Sequence, residues 1–80
     1  MRSMFRKCKS LKELNLSHFN TQNVINMSYM FEGCNSLSYL NLSNFNAQNV
    51  IYMHYMFDGC DSLSKQNVIT GDNKILNKLS

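Results

Sequence analysis

Basic residues are missing from the middle of this chain. No Lys or Arg occurs between residues 13 and 64, and the net charge of +3 comes from the first dozen residues and the tail. A surface that binds nucleic acid needs several cations on one face. We therefore expect no nucleic-acid partner for the middle of the chain, and we interpret its basic start as a solvated or capping segment.

Long apolar runs are missing as well. No stretch approaches the roughly 18 apolar residues of a membrane-spanning helix, so we expect no membrane span. Residues 1–14 carry basic side chains without the apolar core of a secretory signal peptide. The sequence therefore predicts no export signal within this chain and leaves its localisation open.

Cysteine is scarce and evenly spaced, at Cys8, Cys34 and Cys60. An odd number of cysteines at equal spacing differs from the clustered pattern of a disulfide framework. Neither a Cys-x-x-Cys nor a His-x-x-x-His pair is present, and His18 and His54 occupy different repeat positions, so we predict no metal site and no cofactor. Three equivalent cysteines also argue against a single catalytic nucleophile. We expect reduced, buried thiols that pack as small apolar side chains, and no enzyme activity.

The strongest signal in the sequence is a repeat. The motif Met-Phe-x-x-Cys-x-Ser-Leu begins at Met4, Met30 and Met56. The spacing is constant at about 26 residues, within the range of leucine-rich repeats. We divide the chain into a repeat region, residues 1–69, and a tail, residues 70–80. The repeat region consists of units 4–29 and 30–55 and a truncated unit 56–69. One such unit cannot bury its apolar side alone, so we expect the units to stack into a short solenoid.

One half of each unit has the pattern of a strand. Leu-x-x-Leu-x-Leu-x-x-Phe-Asn begins at Leu11 and again at Leu37, as in the strand half of a leucine-rich repeat. Leucines alternate there with polar residues, which predicts strands near residues 13–16 and 39–42. The outward positions are candidate protein contacts, namely Glu13, Asn15, Ser17, Tyr39, Asn41 and Ser43. Amphipathic aromatic side chains anchor interfaces, and the best placed are Tyr39, Tyr52 and Tyr55.

The other half of each unit has helical spacing. Apolar residues recur at i, i+3, i+4 and i+7 from Met27 and from Met53, which predicts short helices near residues 27–32 and 53–58. Gly33 and Gly59 are placed where a left-handed residue would end each helix. The expected fold class is therefore α/β, with one short strand and one short helix in each unit.

The third unit departs from this frame. Residues 65–69 resemble residues 47–51 at a spacing of 18 rather than 26, so the strand segment is missing. We therefore predict that no third strand covers the edge at residues 39–42, and that the chain self-associates through its C-terminal end. Two alternatives are open for the tail: disorder, or a short capping helix with one apolar face formed by Ile75, Leu76 and Leu79.

These motifs together resemble a known family. Met-Phe-x-Gly-Cys-x-Ser-Leu-x-x-Leu-x-Leu-Ser-x-Phe, at residues 30–45, is followed by Asn-Val-x-x-Met-x-x-Met-Phe, at residues 49–57. The combination is similar to the BspA-type leucine-rich repeat surface proteins. It is closest to the variant of roughly 26 residues in mycoplasma lipoproteins and other microbial surface proteins, a domain of unknown function. The resemblance covers residues 1–69.

The resemblance implies a solenoid with a leucine-rich-repeat-like strand face, cell-surface or secreted display, and binding to host proteins, matrix or other cells. It implies no catalytic residues. The family often has Asp where this chain has Asn15, Asn20, Asn41 and Asn46, so the acidic surface of the family is largely absent. We interpret the chain as a non-catalytic protein-interaction module, a fragment of such a surface protein, with a protein partner of unknown identity. The alternative is a purely structural, degenerate or truncated repeat fragment without a binding role of its own.

Overall fold

The computed structural model describes residues 1–79, which contain three short strands and one short helix. Strands β1 (Glu13–Asn15), β2 (Tyr39–Asn41) and β3 (Val68–Ile69) form a parallel sheet in the order β1-β2-β3, and helix α1 (Asn73–Leu76) follows. The first two strands lie where the alternation of Leu with polar residues predicts them. Leu14 pairs with Leu40, its equivalent in the next unit. Residues that are equivalent in the sequence repeat are thus the residues that pair between β1 and β2.

The third strand contradicts a prediction from the sequence. Val68 pairs with Leu40 and Ile69 pairs with Asn41, so a third strand does cover the edge of β2. This pairing does not follow the repeat frame, because a turn at residues 65–67 delays the strand by two positions. A buried strand position requires an apolar side chain rather than a particular residue. Val68 therefore replaces the leucine of the other units without matching their sequence.

The predicted helices at residues 27–32 and 53–58 are also wrong, because both segments form consecutive turns. Their N–H groups alternate between two kinds of acceptor. The N–H of Met30 donates to the carbonyl of Met27 three residues back, whereas the N–H of Phe31 donates to the carbonyl of Met56 in the next unit, at 3.0 Å. An α-helix directs its N–H groups along its own axis, so it could not donate every second one sideways to the next unit. We refer to residues 2–7, 28–33 and 54–59 as the turn segments.

Each turn segment contains two residues in the left-handed conformation. The φ angles are +80° at Gly33 and +76° at Gly59, as expected for these glycines, and +62° at the equivalent Lys7. Glycine adopts this conformation without the steric cost that a Cβ atom brings. The second left-handed position holds Ser3, at +58°, Tyr29, at +59°, and Tyr55, at +54°.

The core consists of files of equivalent side chains that run from unit to unit. The rings of Phe5 and Phe31 are stacked with centroids 5.7 Å apart, and those of Phe31 and Phe57 follow at 5.6 Å. Leu40 of β2 is fully buried, while Leu14 in the first unit is half-buried. The middle unit therefore has neighbours on both sides and contributes most of the fully buried side chains.

The tail packs against the middle unit. The Asp72 side chain accepts a hydrogen bond from the N–H of Lys74, which caps α1, and another from the N–H of Ala47 at 2.7 Å. Lys74 Nζ donates to the carbonyl of Ala47 at 3.3 Å, and Ile75 is fully buried. Of the two alternatives for the tail, the structure contains the short helix, held in place by these contacts.

Candidate functional site

The structure brings the predicted strand contacts together on one face of the sheet. Glu13 lies opposite Tyr39, and Asn15 lies opposite Asn41, in neighbouring strands. The third strand adds Ile69, which pairs with Asn41. Neighbouring parallel strands are about 4.8 Å apart, so these side chains form one continuous outward surface.

The asparagines on this face also serve the backbone. Asn15 Oδ1 accepts a hydrogen bond from the N–H of Ser17 at 2.9 Å, and Asn41 Oδ1 accepts one from the N–H of Ser43 at 3.0 Å. Such turns satisfy backbone groups where a strand ends. Four of the six predicted contact residues therefore take part in ending β1 and β2, which is a structural role. Tyr39, at 38% exposure, is the largest predicted contact on the face.

A second surface is more apolar and more exposed. It consists of equivalent segments in two neighbouring units, and we call it the aromatic edge: Ile25, Tyr29, Ile51, Tyr52 and Tyr55. An isolated parallel bridge joins Asn26 to Tyr52, and the N–H of Ile51 donates to the carbonyl of Ile25 at 2.8 Å. Ile51 is 71% exposed and Tyr55 is 61% exposed. Backbone hydrogen bonds thus hold the two segments together, and the edge presents large apolar side chains to solvent.

The aromatic edge continues toward the N-terminal end of the stack through a pair of stacked tyrosines and the Arg6 side chain. The rings of Tyr29 and Tyr55 stack at 5.6 Å, and the Arg6 guanidinium lies 5.3 Å from the centroid of the Tyr29 ring. Arg6 Nε also contacts Glu32 Oε1 at 2.7 Å. Exposed ion pairs contribute little to stability, about 0–1 kcal/mol. The arrangement mainly orders the Arg6 side chain beside the tyrosine stack.

Sequence reasoning identified part of the aromatic edge and missed the rest. Tyr52 and Tyr55 were expected to be contact residues, but Tyr29, Ile25 and Ile51 were not. A signal was present, because Ile25 and Ile51 recur at the repeat spacing outside both the strand pattern and the helical pattern. This signal alone does not separate surface from core, because Val24 and Val50 recur in the same way and Val50 is buried.

Two of the three thiols join neighbouring units. Cys34 Sγ donates to the carbonyl of Phe5, and Cys60 Sγ donates to the carbonyl of Phe31, each at 3.0 Å. Burial raises the pKa of the Cys34 thiol, and it raises the pKa of the Cys60 thiol from 9.0 to about 12. All three cysteines are unpaired thiols, although Cys8 is only half-buried. Cys34 and Cys60 are therefore protonated packing groups at neutral pH.

The part of the chain that the structure describes holds no further constellation that suggests chemistry. His18 and His54 are exposed and lie at different repeat positions. Residues 1–79 contain no group of three or more His, Cys, Asp or Glu side chains that could hold a metal ion. Among the same residues, no helix has the length and apolar character needed to cross a membrane.

The two ends of the stack of units each form a recess. The C-terminal recess, of about 370 Å³, is lined by the last turn segment together with Asp61, Lys78 and Leu79. The N-terminal recess, of about 580 Å³, has a mainly apolar lining formed by Phe5, Cys8, Lys9, Ser10, Leu11 and Leu14. Both recesses lie where a further unit would stack.

Comparison with known proteins assigns the chain to a family. No curated protein and no solved structure matches the chain. The family model described as "Mycoplasma protein of unknown function, DUF285" matches residues 1–77, and the chain therefore belongs to this family.

Proposed function

We propose that this domain is a non-catalytic protein-interaction module, built as a short leucine-rich-repeat-like solenoid, and that the aromatic edge is its contact surface. The proposal includes cell-surface or secreted display and a host, matrix or cell-surface protein as the partner, which rests on the resemblance to BspA-type surface proteins. Membership of a family of unknown function is compatible with this role and does not specify it.

The observation that carries the proposal is the backbone conformation of two tyrosines. Tyr29 and Tyr55 both have positive φ, which is uncommon for a bulky residue and costs about 1–2 kcal/mol. Glycine or asparagine would satisfy the same turn with less strain. Backbone strain of this kind concentrates at functional sites. The equivalent position of the first unit holds Ser3, also with positive φ, so the turn itself does not require tyrosine. The use of tyrosine at the other two positions supports a role for these rings that offsets the cost.

The composition of the aromatic edge fits a protein partner. Aromatic side chains are enriched at protein interfaces, where tyrosine often contributes much of the binding energy. Arg6 is the cation that contacts the edge, whereas a surface for phosphates requires several. The strand face offers less apolar area, because Tyr39 is only 38% exposed and the neighbouring asparagines serve the backbone. The aromatic edge is therefore the better candidate.

The surroundings of the nucleophilic side chains support a non-catalytic role. A cysteine nucleophile must be a thiolate with a base beside it. Cys34 and Cys60 instead donate to backbone carbonyls inside the core, and burial raises the pKa of both thiols. The exposed His54 lies beside Tyr52, with ring centroids 6.3 Å apart, as part of the surface.

The proposal can be tested by measuring binding of the parent and two variants to immobilised fibronectin, laminin and type I collagen. Tyr55→Gly removes the exposed ring and suits the left-handed backbone, so it should leave the fold intact. We expect this variant to bind at least about tenfold more weakly, the range of an interface hot spot. Tyr39→Ala, on the strand face, is the matched control and should bind like the parent.

Two results would contradict the proposal. Equal weakening by Tyr39→Ala and Tyr55→Gly would move the contact surface away from the aromatic edge or show that binding is non-specific. Absence of binding to all three probes, with a folded parent by circular dichroism, would favour the structural alternative, in which the domain only spaces other parts of a larger protein.

A further inference from the structure

The hydrogen bonds between units follow one rule, and this rule defines what each end of the stack would bind. In the turn segments the N–H of Phe31 donates to the carbonyl of Met56, and the N–H of Gly33 donates to the carbonyl of Asp58. The first unit obeys the same rule, since Phe5 donates to Met30 at 2.9 Å. In the turn segments, every second N–H therefore donates to the next unit. Its acceptor is the carbonyl that directly precedes the equivalent residue of that unit: Phe31 is equivalent to Phe57, and it donates to Met56.

The rule leaves complementary groups at the two ends. Within residues 1–79 the N–H groups of Phe57 and Gly59 have no acceptor, and the carbonyls of Met4 and Arg6 have no donor. Backbone groups that lack a partner favour pairing with another chain. The C-terminal end thus offers donors at the same spacing at which the N-terminal end offers acceptors.

The charges at the two ends are also complementary. Arg6 and Asp58 occupy the same repeat position, as do Lys9 and Asp61. Both aspartates line the C-terminal recess, and Lys9 lines the N-terminal recess. Within the chain the equivalent neighbours Arg6 and Glu32 already form an ion pair. A unit that carries the basic side chains would repeat this pairing if it stacked on the C-terminal end.

We propose that a second copy of this chain docks head to tail, with its residues 2–9 stacked on residues 57–61 of the first copy. The N–H groups of Phe57 and Gly59 then donate to the carbonyls of Met4 and Arg6 in the second copy. The Phe5 ring of that copy extends the phenylalanine file beyond Phe57. Its basic side chains face Asp58 and Asp61. This junction is the interface between neighbouring units, formed between two molecules.

The glycine at the C-terminal end leaves room for this junction. A Cβ atom built on Gly59 would lie 3.4 Å from Gly33 Cα, so side chains at this repeat position point toward the preceding unit. Lys7 of the second copy would point in the same way toward Gly59, which has no side chain to obstruct it. Lys78 and Leu79 line part of the C-terminal recess, so the junction is confined to the side formed by residues 57–61.

Because the two docking surfaces differ, the association is heterologous and does not close after two copies. This arrangement gives the basic residues at the N-terminal end a part in the contact. Those residues discourage stacking on a second basic end and favour stacking on the end that carries Asp58 and Asp61. Tyr55 of the aromatic edge also lines the C-terminal recess, but the junction rests on backbone groups and charges at residues 57–61, so this proposal does not depend on the proposed function.

A charge-swap experiment tests the proposal on the full 80-residue chain. Lys9→Glu and Asp61→Lys each place like charges across the junction, at exposed positions where the fold should tolerate them. We expect the parent's average mass in sedimentation equilibrium at low salt to rise with concentration beyond that of a dimer. Each variant alone should associate about tenfold more weakly, and an equimolar mixture of the two should regain parental association, because every junction between unlike variants pairs opposite charges.

The outcomes separate this arrangement from others. Association of Lys9→Glu alone at parental strength would indicate contact between two C-terminal ends and would overturn the proposal. A parent whose mass stops at that of a dimer, or remains that of one chain near millimolar concentration, would overturn it too. The last result would point to a further repeat unit in a longer chain as the occupant. Circular dichroism of each variant confirms that a loss of association is not a loss of folding.

Discussion

The replacement of Leu40 by Ala tests whether the middle unit carries the stability of the domain. Leu40 is fully buried and lies between Leu14 of β1 and Val68 of β3. Removing a buried leucine side chain costs about 2–5 kcal/mol, and more where the surroundings cannot collapse into the cavity. Strands on both sides hold this site open, so we expect the upper half of that range. The total free energy of unfolding of a small domain is only about 5–15 kcal/mol, so this loss would be a large share of it.

The matched control is Leu14→Ala, the same substitution at the same repeat position in the first unit. Leu14 is half-buried and lines the N-terminal recess, so we expect less than half of the loss seen for Leu40→Ala. Urea denaturation followed by far-ultraviolet circular dichroism, at concentrations low enough to prevent association, gives both free energies of unfolding. Equal losses at the two positions would refute the argument that stacking on both sides makes Leu40 dominant.

Three further predictions concern the turn segments, the thiols and the tail. Gly59→Ala should lower the free energy of unfolding by about 1–2 kcal/mol in the same assay, because φ is +76° there, whereas Gly71→Ala, in open space without a positive φ, should change it little. A thiol reagent should modify the half-buried Cys8 first and Cys60 only after unfolding. Burial raises the pKa of Cys60 from 9.0 to about 12, so this thiol stays protonated in the folded chain while it ionises in the unfolded one. Stability should therefore hold below pH 9.0 and fall above it, by up to about 1.4 kcal/mol per pH unit, with a smaller fall in Cys60→Ala. Asp72→Ala removes the α1 cap and the bond to Ala47, and should cost about 1–3 kcal/mol.

The turn segments show why the sequence predicts part of the fold and misses another part. Apolar residues at i, i+3, i+4 and i+7 fit an α-helix, but they fit equally well a series of turns with bonds from residue i to i−3. What decides between them is the acceptor for every second N–H. For Phe31 that acceptor is the carbonyl of Met56 in the next unit. A pattern within one unit does not contain this information, although the repeat itself shows that a next unit exists.

The third strand was missed for a different reason. The first two strands were predictable because Leu14, Leu16, Leu40 and Leu42 alternate with polar residues. Val68 has the required burial but follows two extra residues, and the resemblance of its surroundings to the middle unit suggested a deletion. Strand pairing depends on where the backbone reaches the edge of β2, which a turn of different length can adjust.

At the candidate site, the sequence predicts which strand side chains face outward, but it does not predict the backbone conformation of the tyrosines. Glu13, Asn15, Tyr39 and Asn41 do share one face, since alternation fixes which side chains point outward. The positive φ of Tyr29 and Tyr55 carries the proposed function and has no counterpart in the sequence pattern, because tyrosine is not a residue that signals a left-handed turn.

The geometry also explains why the repeat retains cysteine at this position. The carbonyl of Phe5 accepts two hydrogen bonds, one from the N–H of Cys8 in its own unit and one from Cys34 Sγ in the next. The carbonyl of Phe31 repeats this with Cys34 and Cys60. Alanine would fill less of the space and donate nothing, whereas serine would bring a hydroxyl that is more costly to bury. Cysteine combines an apolar volume with a weak donor, so its recurrence in every unit marks the contact between one turn segment and the next.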